Sequence, residues 1–377
     1  MSAARRVVFA PDSFKGSIDA AGAAAALADG WRSARPHDDI VLRPVADGGE
    51  GTLAAFAAAV PGARPMPVEV TGPDGMRVRA AWLLLPPTPD APNGAGVVEL
   101  ASTSGIELLG ARRLPWDADT TGFGQAIVAA LDHGVSRLVL GIGSSASTDG
   151  GAGLLRALGV ELTDATARPI APGARGLASV AHAELGGMRA LPPTGVVVLT
   201  DVTNPLLGPR GAAAVFGPQK GFAAGEIIPA DNGLTRLAGL LPGDPTTPGA
   251  GAAGGTGFAL LVWGAALVPG AAQVAELVGL RAALGEASLV VTGEGSFDGQ
   301  SAAGKAPAHV AAIGAAAEVP VALVAGRIAP DADVSGFTAA ASLTDLAGSS
   351  TLALAEPARW LRAAGARLAL TTSSLPG

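Results

Sequence analysis

The sequence predicts an α/β protein of two domains, one assembled from both ends of the chain and the other inserted into it. Three observations carry this. At 377 residues the chain is longer than a single hydrophobic core usually serves. Strand-like and helix-like runs alternate at both ends, which is the pattern of parallel βαβ units. Near residue 66 the style changes to an antiparallel hairpin and mixed elements, and near residue 270 plain alternation returns. The expected domains are 1–65 plus 270–377 and 66–269, and clefts between domains are favoured ligand sites.

The elements follow in order. Arg6 to Ala10 reads as strand, Ser17 to Ser33 as helix, Ile40 to Ala46 as strand and Glu50 to Val60 as helix. Met66 to Val70 and Met76 to Leu85 read as two strands, with Pro73-Asp74-Gly75 supplying the reversal. A Pro-rich loop, Pro86 to Pro92, precedes a strand at Val97 to Leu100, a helix at Thr121 to His133 and strands at Leu138 to Ile142 and Val196 to Leu199. The glycine-rich run Gly249 to Gly257 opens a helix reaching Ala266. The last stretch reads helix Ala271 to Leu284, strand Ser288 to Thr292, helix Lys305 to Ala317, strands Val319 to Ala325 and Ala339 to Leu343, and helix Glu356 to Ala369.

Composition excludes several functions. Hydrophobic residues at 49% against charged ones at 15% describe a globular chain rather than a disordered one. The net charge of −7, with no cluster of Lys and Arg, gives no footprint for nucleic acid. No Cys is present, so there is no disulfide framework, thiolate metal site or thiol nucleophile, which fits a cytoplasmic protein. The run after Arg6 is too short for a signal peptide, and the longest apolar run, Gly254 to Val268, falls short of the roughly twenty residues that cross a bilayer. The four histidines, His37, His133, His182 and His309, are scattered, which argues against histidine base or zinc chemistry.

The pattern DGGxG occurs twice, as Asp47-Gly48-Gly49-Glu50-Gly51 and Asp149-Gly150-Gly151-Ala152-Gly153, each between a strand-like and a helix-like run. Such turns hold anions: glycine lets backbone approach a ligand, helix-start N–H groups point toward it, and the aspartate orients a hydroxyl or a metal. One copy alone is equally a tight turn. Pro11 to Ser17 follows the first strand, where Lys15 and Ser13 would meet an anion at the carboxyl end of the sheet, whereas Asp12 or Ser17 would serve as a helix cap. Asp201 ends the strand Val196 to Leu199 as either a site carboxylate or a turn former, and Asn204 sits before Pro205. Lys220, in Gly217 to Gly221, is either a phosphate contact or part of a solvated turn.

Thr292 to Pro307 is the richest stretch. Gly299 to Lys305 matches the spacing GxxxxGK, but Ala306 stands where a P-loop has Ser or Thr and no strand is expected immediately before it, so the match reads as accidental. Lys305 at a helix start suits a phosphate, and Glu294 and Asp298 suit a metal ion, with a surface role open for Asp298. A site of Asp, Glu, Lys, Ser and backbone N–H groups suits phosphoryl transfer with Mg²⁺.

Seven motifs in order, APDSFKGS (10 to 17), PVADGGEGT (44 to 52), GIGSSASTDGGAG (141 to 153), DVTNPLLG (201 to 208), FGPQKG (216 to 221), GAGAAGGTG (249 to 257) and TGEGSFDGQSAAGKAP (292 to 307), resemble the type-1 glycerate kinases over nearly the whole chain. The resemblance implies a flavodoxin-like three-layer α/β domain with a mixed α/β domain inserted, and ATP-dependent phosphorylation of D-glycerate to 2-phosphoglycerate, with Mg²⁺, by a monomer or homodimer. It suggests Asp47 or Asp201 as the base, Ser13, Lys15 and Asn204 on glycerate, Asp149 and Glu294 on the metal, and Gly143, Ser145, Gly150, Gly151 and Lys305 on the phosphates. The chain departs from the family pattern at Ser144, Ser147-Thr148 and Ser296, where a second glycine, Thr-Asn and Arg are usual. The changes at Ser144 and Ser296 prompt a second reading, a kinase for another small hydroxy acid, and a third, from a different class, is a non-catalytic sensor of a nucleotide or an organic acid.

Overall fold

The structure, a computed structural model, describes residues 4–299 and 306–372. In chain order the strands are β1 (Arg6–Pro11), β2 (Asp39–Leu42), β3 (Arg64–Thr71), β4 (Arg77–Leu85), β5 (Ala95–Glu99), β6 (Arg137–Gly141), β7 (Glu161–Asp164), β8 (Val180–Glu184), β9 (Val196–Leu199), β10 (Ala266–Val268), β11 (Leu289–Phe297), β12 (Val321–Ile328) and β13 (Ala339–Ser342). The chain divides into two compact units. One runs to Asp47, takes in Ala54–Pro61 and resumes at Ala271; the other comprises Gly48–Leu53 and Gly62–Gly270.

The first unit is built on a parallel five-stranded sheet ordered β13-β12-β11-β1-β2. Its central strands read as continuous apolar runs because both faces are covered. Phe9, Val291 and Val324 pack with Leu27 and Trp31 of the helix Ala20–Ala34 and with Leu361 and Leu368 of the helix Pro357–Thr371. On the opposite face Gly314 of the helix Ala306–Ala316 lies against Val290 and Val321. The first helix starts later than its sequence suggests, because Asp19 rather than Asp12 or Ser17 is its cap, accepting from Gly22 N at 2.6 Å. Ser17 donates to Phe14 O instead.

The second unit holds a mixed six-stranded sheet ordered β10-β9-β6-β5-β4-β3. The run β10-β9-β6-β5 is parallel and the meander β5-β4-β3 antiparallel. Its core gathers Phe123 and Ile127 of the helix Thr121–His133, Leu138 and Leu140 of β6, and Phe258 and Leu260 of the helix Ala252–Trp263. No helix among the described residues is long and apolar enough to cross a membrane.

Three expectations are corrected. The helix read over Ala271 to Leu284 is two, Gly270–Leu277 and Leu280–Leu284, divided at Gly279 with φ 69°. β11 continues five residues beyond Thr292 to Phe297, so Glu294 and Ser296 are strand residues, and a strand does precede Gly299. β2 stops at Leu42, and Pro44, which has no N–H to give a ladder, lies beyond it. The β7–β8 hairpin and the helix Ile227–Ala238 have no counterpart in the sequence reading.

Candidate functional site

In the first unit a cavity of about 510 Å³ opens at the carboxyl ends of β1, β11 and β12, where open parallel sheets bind ligands. It is lined by the acids Asp12, Asp47 and Glu294, the bases Lys15 and Arg327, and Ser13, with Leu343, Ala353 and Leu354 on an apolar side. Strand register explains the gathering. Pro11 pairs with Gly293, so Asp12, just past the end of β1, and Glu294, the next residue along β11, stand at one level on adjacent strands. Asp12 Oδ1 accepts from Ser13 N at 2.6 Å. Burial, and then the neighbouring charges of Asp47 and Glu294, push the Asp12 carboxyl well above the usual carboxylate range. Of the residues singled out in the sequence, Ser13, Lys15, Asp47 and Glu294 come together here.

A hard, oxygen-binding cation fits this end of the cavity, since crowded carboxylates that resist sharing negative charge gain from a positive ion between them. Among the described residues no three His, Asp or Glu side chains converge to cage a metal by themselves. Mg²⁺ does not need such a cage: it usually takes one or two carboxylates together with substrate phosphates.

The second unit places the other group, Gly143, Ser145, Asp149, Gly150 and Gly151, in the loop after β6. This loop is bonded to itself and to its surroundings. Asp149 is fully buried. Its Oδ1 accepts from Ser147 Oγ at 3.0 Å and Gly151 N at 3.1 Å, and its Oδ2 from Thr120 Oγ1 at 2.8 Å, Thr120 N at 3.1 Å and Gly153 N at 3.1 Å. In this geometry Asp149, expected on a metal, organises the loop with both of its oxygens accepting from protein donors. Three of the loop's amides are bonded within the protein: Gly143 N donates to Gly48 O, Gly150 N to Gly254 O and Gly151 N to Asp149.

Two further motifs close on the same loop. Lys220 is 2% exposed, and its Nζ donates to Ser145 Oγ at 2.7 Å and to Ser147 O. Burial pushes this ammonium down to about 7. A Cβ at Gly254 would stand 2.0 Å from Ser147 O and 2.9 Å from Lys220 Nζ, so the glycine-rich run at 249–257 is what gives the lysine room. Its Ala253, Gly254 and Gly255 adopt positive φ and interrupt the helix that the sequence run predicts.

The remaining candidates are spread out. Asp201 is exposed and its Oδ1 accepts from Gly270 N at 2.9 Å, while Asn204 Nδ2 donates to Arg210 O at 2.8 Å; both hold turns after β9. Lys305 lies outside the described residues. Sequence reasoning missed Asp12, Arg327 and Glu99 as site or buried ionisable groups. Asp12 carried a signal, an acid just past a strand end; Arg327, after Gly326 on β12, carried the same one more weakly. Glu99 is 5% exposed and accepts from Leu53 N at 2.9 Å, and burial pushes its carboxyl up to about 7.

The model of the glycerate kinase family matches residues 7–373. A glycerate kinase of Bacillus subtilis is 40% identical over 87% of this chain and 86% of its own length. The glycerate 2-kinase of Escherichia coli is 39% identical over 87% of each. The crystal structure of a Salmonella typhimurium LT2 protein assigned as glycerate kinase 2 superposes with a TM-score of 0.84 at 38% identity, covering 99% of both chains. A model match over nearly the whole length, with relatives this similar end to end, places the chain in the glycerate kinase family.

Proposed function

We propose that the protein transfers the terminal phosphoryl group of ATP to the 2-hydroxyl of D-glycerate, giving 2-phosphoglycerate and ADP. The observation that carries the reading is the cavity of the first unit, where acids, bases and a serine meet at the strand ends. Lys15 and Arg327 hold the glycerate carboxylate, and Ser13 holds a hydroxyl. Asp47 accepts the proton of the attacking hydroxyl as its oxygen bonds to the γ-phosphorus. The bond from that phosphorus to the bridging oxygen breaks, and ADP leaves with the electron pair. Glu294 and Asp12 would hold Mg²⁺. Neutralising the phosphoryl oxygens is the chemistry that ion supplies when bound. Asp201, kept to a turn, is the weaker candidate for the base, and Lys305 is assigned to the phosphates from its sequence motif.

The product position rests on the name of the Escherichia coli relative. A second reading, a kinase for another small hydroxy acid, draws on Ser296, which lines the cavity where the family usually has Arg. Coupled ADP release with Mg-ATP and D-glycerate tests both, with L-glycerate and longer hydroxy acids as alternatives and ³¹P NMR to locate the phosphate. Turnover on D-glycerate with phosphate at position 2 is expected. Absence of turnover on D-glycerate but activity on another acid would transfer the case to the second reading.

A further inference from the structure

The cavity of the first unit is larger than its acidic end needs. At about 510 Å³ it falls in the range of pockets that take drug-sized ligands, whereas glycerate is a far smaller molecule. Its two sides differ in chemistry and in place. Asp12 follows β1 and Glu294 lies on β11, while the apolar side, Leu343, Ala353, Leu354 and Pro357, comes from the segment after β13. The sheet order β13-β12-β11-β1 separates them by two to three strand spacings, roughly 10–14 Å at about 4.8 Å each. A nucleotide spans that distance and glycerate does not. Leu354 lines the cavity and is 61% exposed, an apolar surface that gains from being covered by a ligand. Ser350, one turn earlier on the same short helix (Ser350–Ala355), adds a hydroxyl to that side. A longer hydroxy acid carries hydroxyls along its length and gains little from an aliphatic wall. Carboxylates for a cation at one side, and leucines with one hydroxyl at the other, describe a ligand that is anionic at one end and flat and apolar at the other.

We infer that the side of this cavity formed by Leu343, Ala353, Leu354 and Pro357 is the nucleobase site, with Leu354 packing on the face of the base and the phosphates running toward Asp12 and Glu294. This rests on the reading of the protein as an ATP-dependent kinase and locates the nucleobase within it.

Calorimetric binding of ADP and of pyrophosphate, each with Mg²⁺, tests the inference without requiring turnover. Leu354→Ser is an exposed substitution, so its urea midpoint should match the wild type. It is expected to weaken ADP about tenfold, through lost apolar contact, and to leave pyrophosphate, which has no nucleobase, unchanged. Leu354→Met keeps an apolar side chain of similar volume and should bind ADP like the wild type. Unchanged ADP affinity in Leu354→Ser overturns the inference. An equal loss for ADP and pyrophosphate also overturns it, because the leucine would then act on the phosphate end. A raised KM for D-glycerate with ADP affinity intact gives the apolar side to the acid, which overturns the nucleobase site and leaves the proposed reaction standing. Wild-type protein that binds ADP through Leu354 but never phosphorylates an acid removes the reaction and supports the site; failure to bind ADP at all overturns both.

Discussion

Asp47 and Asp149 open the same five-residue pattern and end in opposite chemistry. Asp149 is buried, and five protein donors converge on its two oxygens. Asp47 is exposed and lines an open cavity beside Asp12, Glu294 and Lys15. The pattern specifies a turn, and the neighbours decide what its aspartate does. Where Thr120 and Ser147 supply hydroxyls, the carboxylate is drawn inward to organise the loop. Where further acids stand at adjacent strand ends, it shares a pocket able to hold a cation and an anionic substrate.

The largest effect that would break this contrast is on catalysis. Asp47→Asn should lower kcat by about 10²–10⁴-fold, the usual worth of a positioned general base. Its urea midpoint should stay put, since an exposed substitution moves stability by about 0.5 kcal/mol or less. Steady-state kinetics alongside urea unfolding gives both numbers, and a near-normal kcat would remove Asp47 from the mechanism. Asp149→Ala should do the reverse. It strands several buried donors, so a loss on the order of 3–5 kcal/mol is expected in urea unfolding. A variant as stable as the wild type would mean that the five bonds count for little.

How much of this was legible in the sequence follows from the same two residues. Strand-and-helix alternation is written in local periodicity, so the parallel sheet of the first unit and the β3–β4 hairpin could be read from the chain. The fate of each DGGxG copy depends on residues far along the chain, Thr120 for one and Glu294 for the other, and no local pattern encodes those contacts. Lys220 is the sharpest case. In sequence it is one lysine in a glycine-rich loop, as suited to solvent as to a ligand. Its burial is created by Gly254, 34 residues on, which leaves space that any Cβ would fill.

A smaller effect concerns the far end of the first copy. There Glu99 accepts from Leu53 N at 2.9 Å and from Gly51 N at 3.4 Å, as Asp149 does for the second copy, but with fewer donors. Burial wins over those bonds and pushes the carboxyl from 4.5 up to about 7. The folded state therefore keeps a proton that the unfolded chain has already lost. Stability from this group is complete below about pH 4.5 and is lost as pH rises to about 7, by about 3 kcal/mol in all. Glu99→Gln cannot ionise, so the wild-type stability relative to the variant should fall across that window and level off above it. Urea unfolding of both proteins from pH 4.5 to pH 8 measures it, and a constant difference would show that Glu99 titrates as an ordinary glutamate.

The smallest effect lies at the start of the second loop, where Ser144 has φ 58°. A side chain in the left-handed region costs about 1–2 kcal/mol, and glycine, which the related pattern usually has here, does not bear that cost. Glycine also loses more freedom on folding, which offsets part of the gain. Ser144→Gly should therefore stabilise by about 0.5–1 kcal/mol. Ser144 O accepts from Ile106 N at 2.8 Å through the backbone, which the substitution keeps. If the strain serves to hold Ser145 against Lys220, the stabilised variant will bind ADP more weakly than the wild type. If the strain is incidental, affinity will stay unchanged while the urea midpoint rises, and the loop after β6 will owe its shape to Asp149 and Lys220 alone.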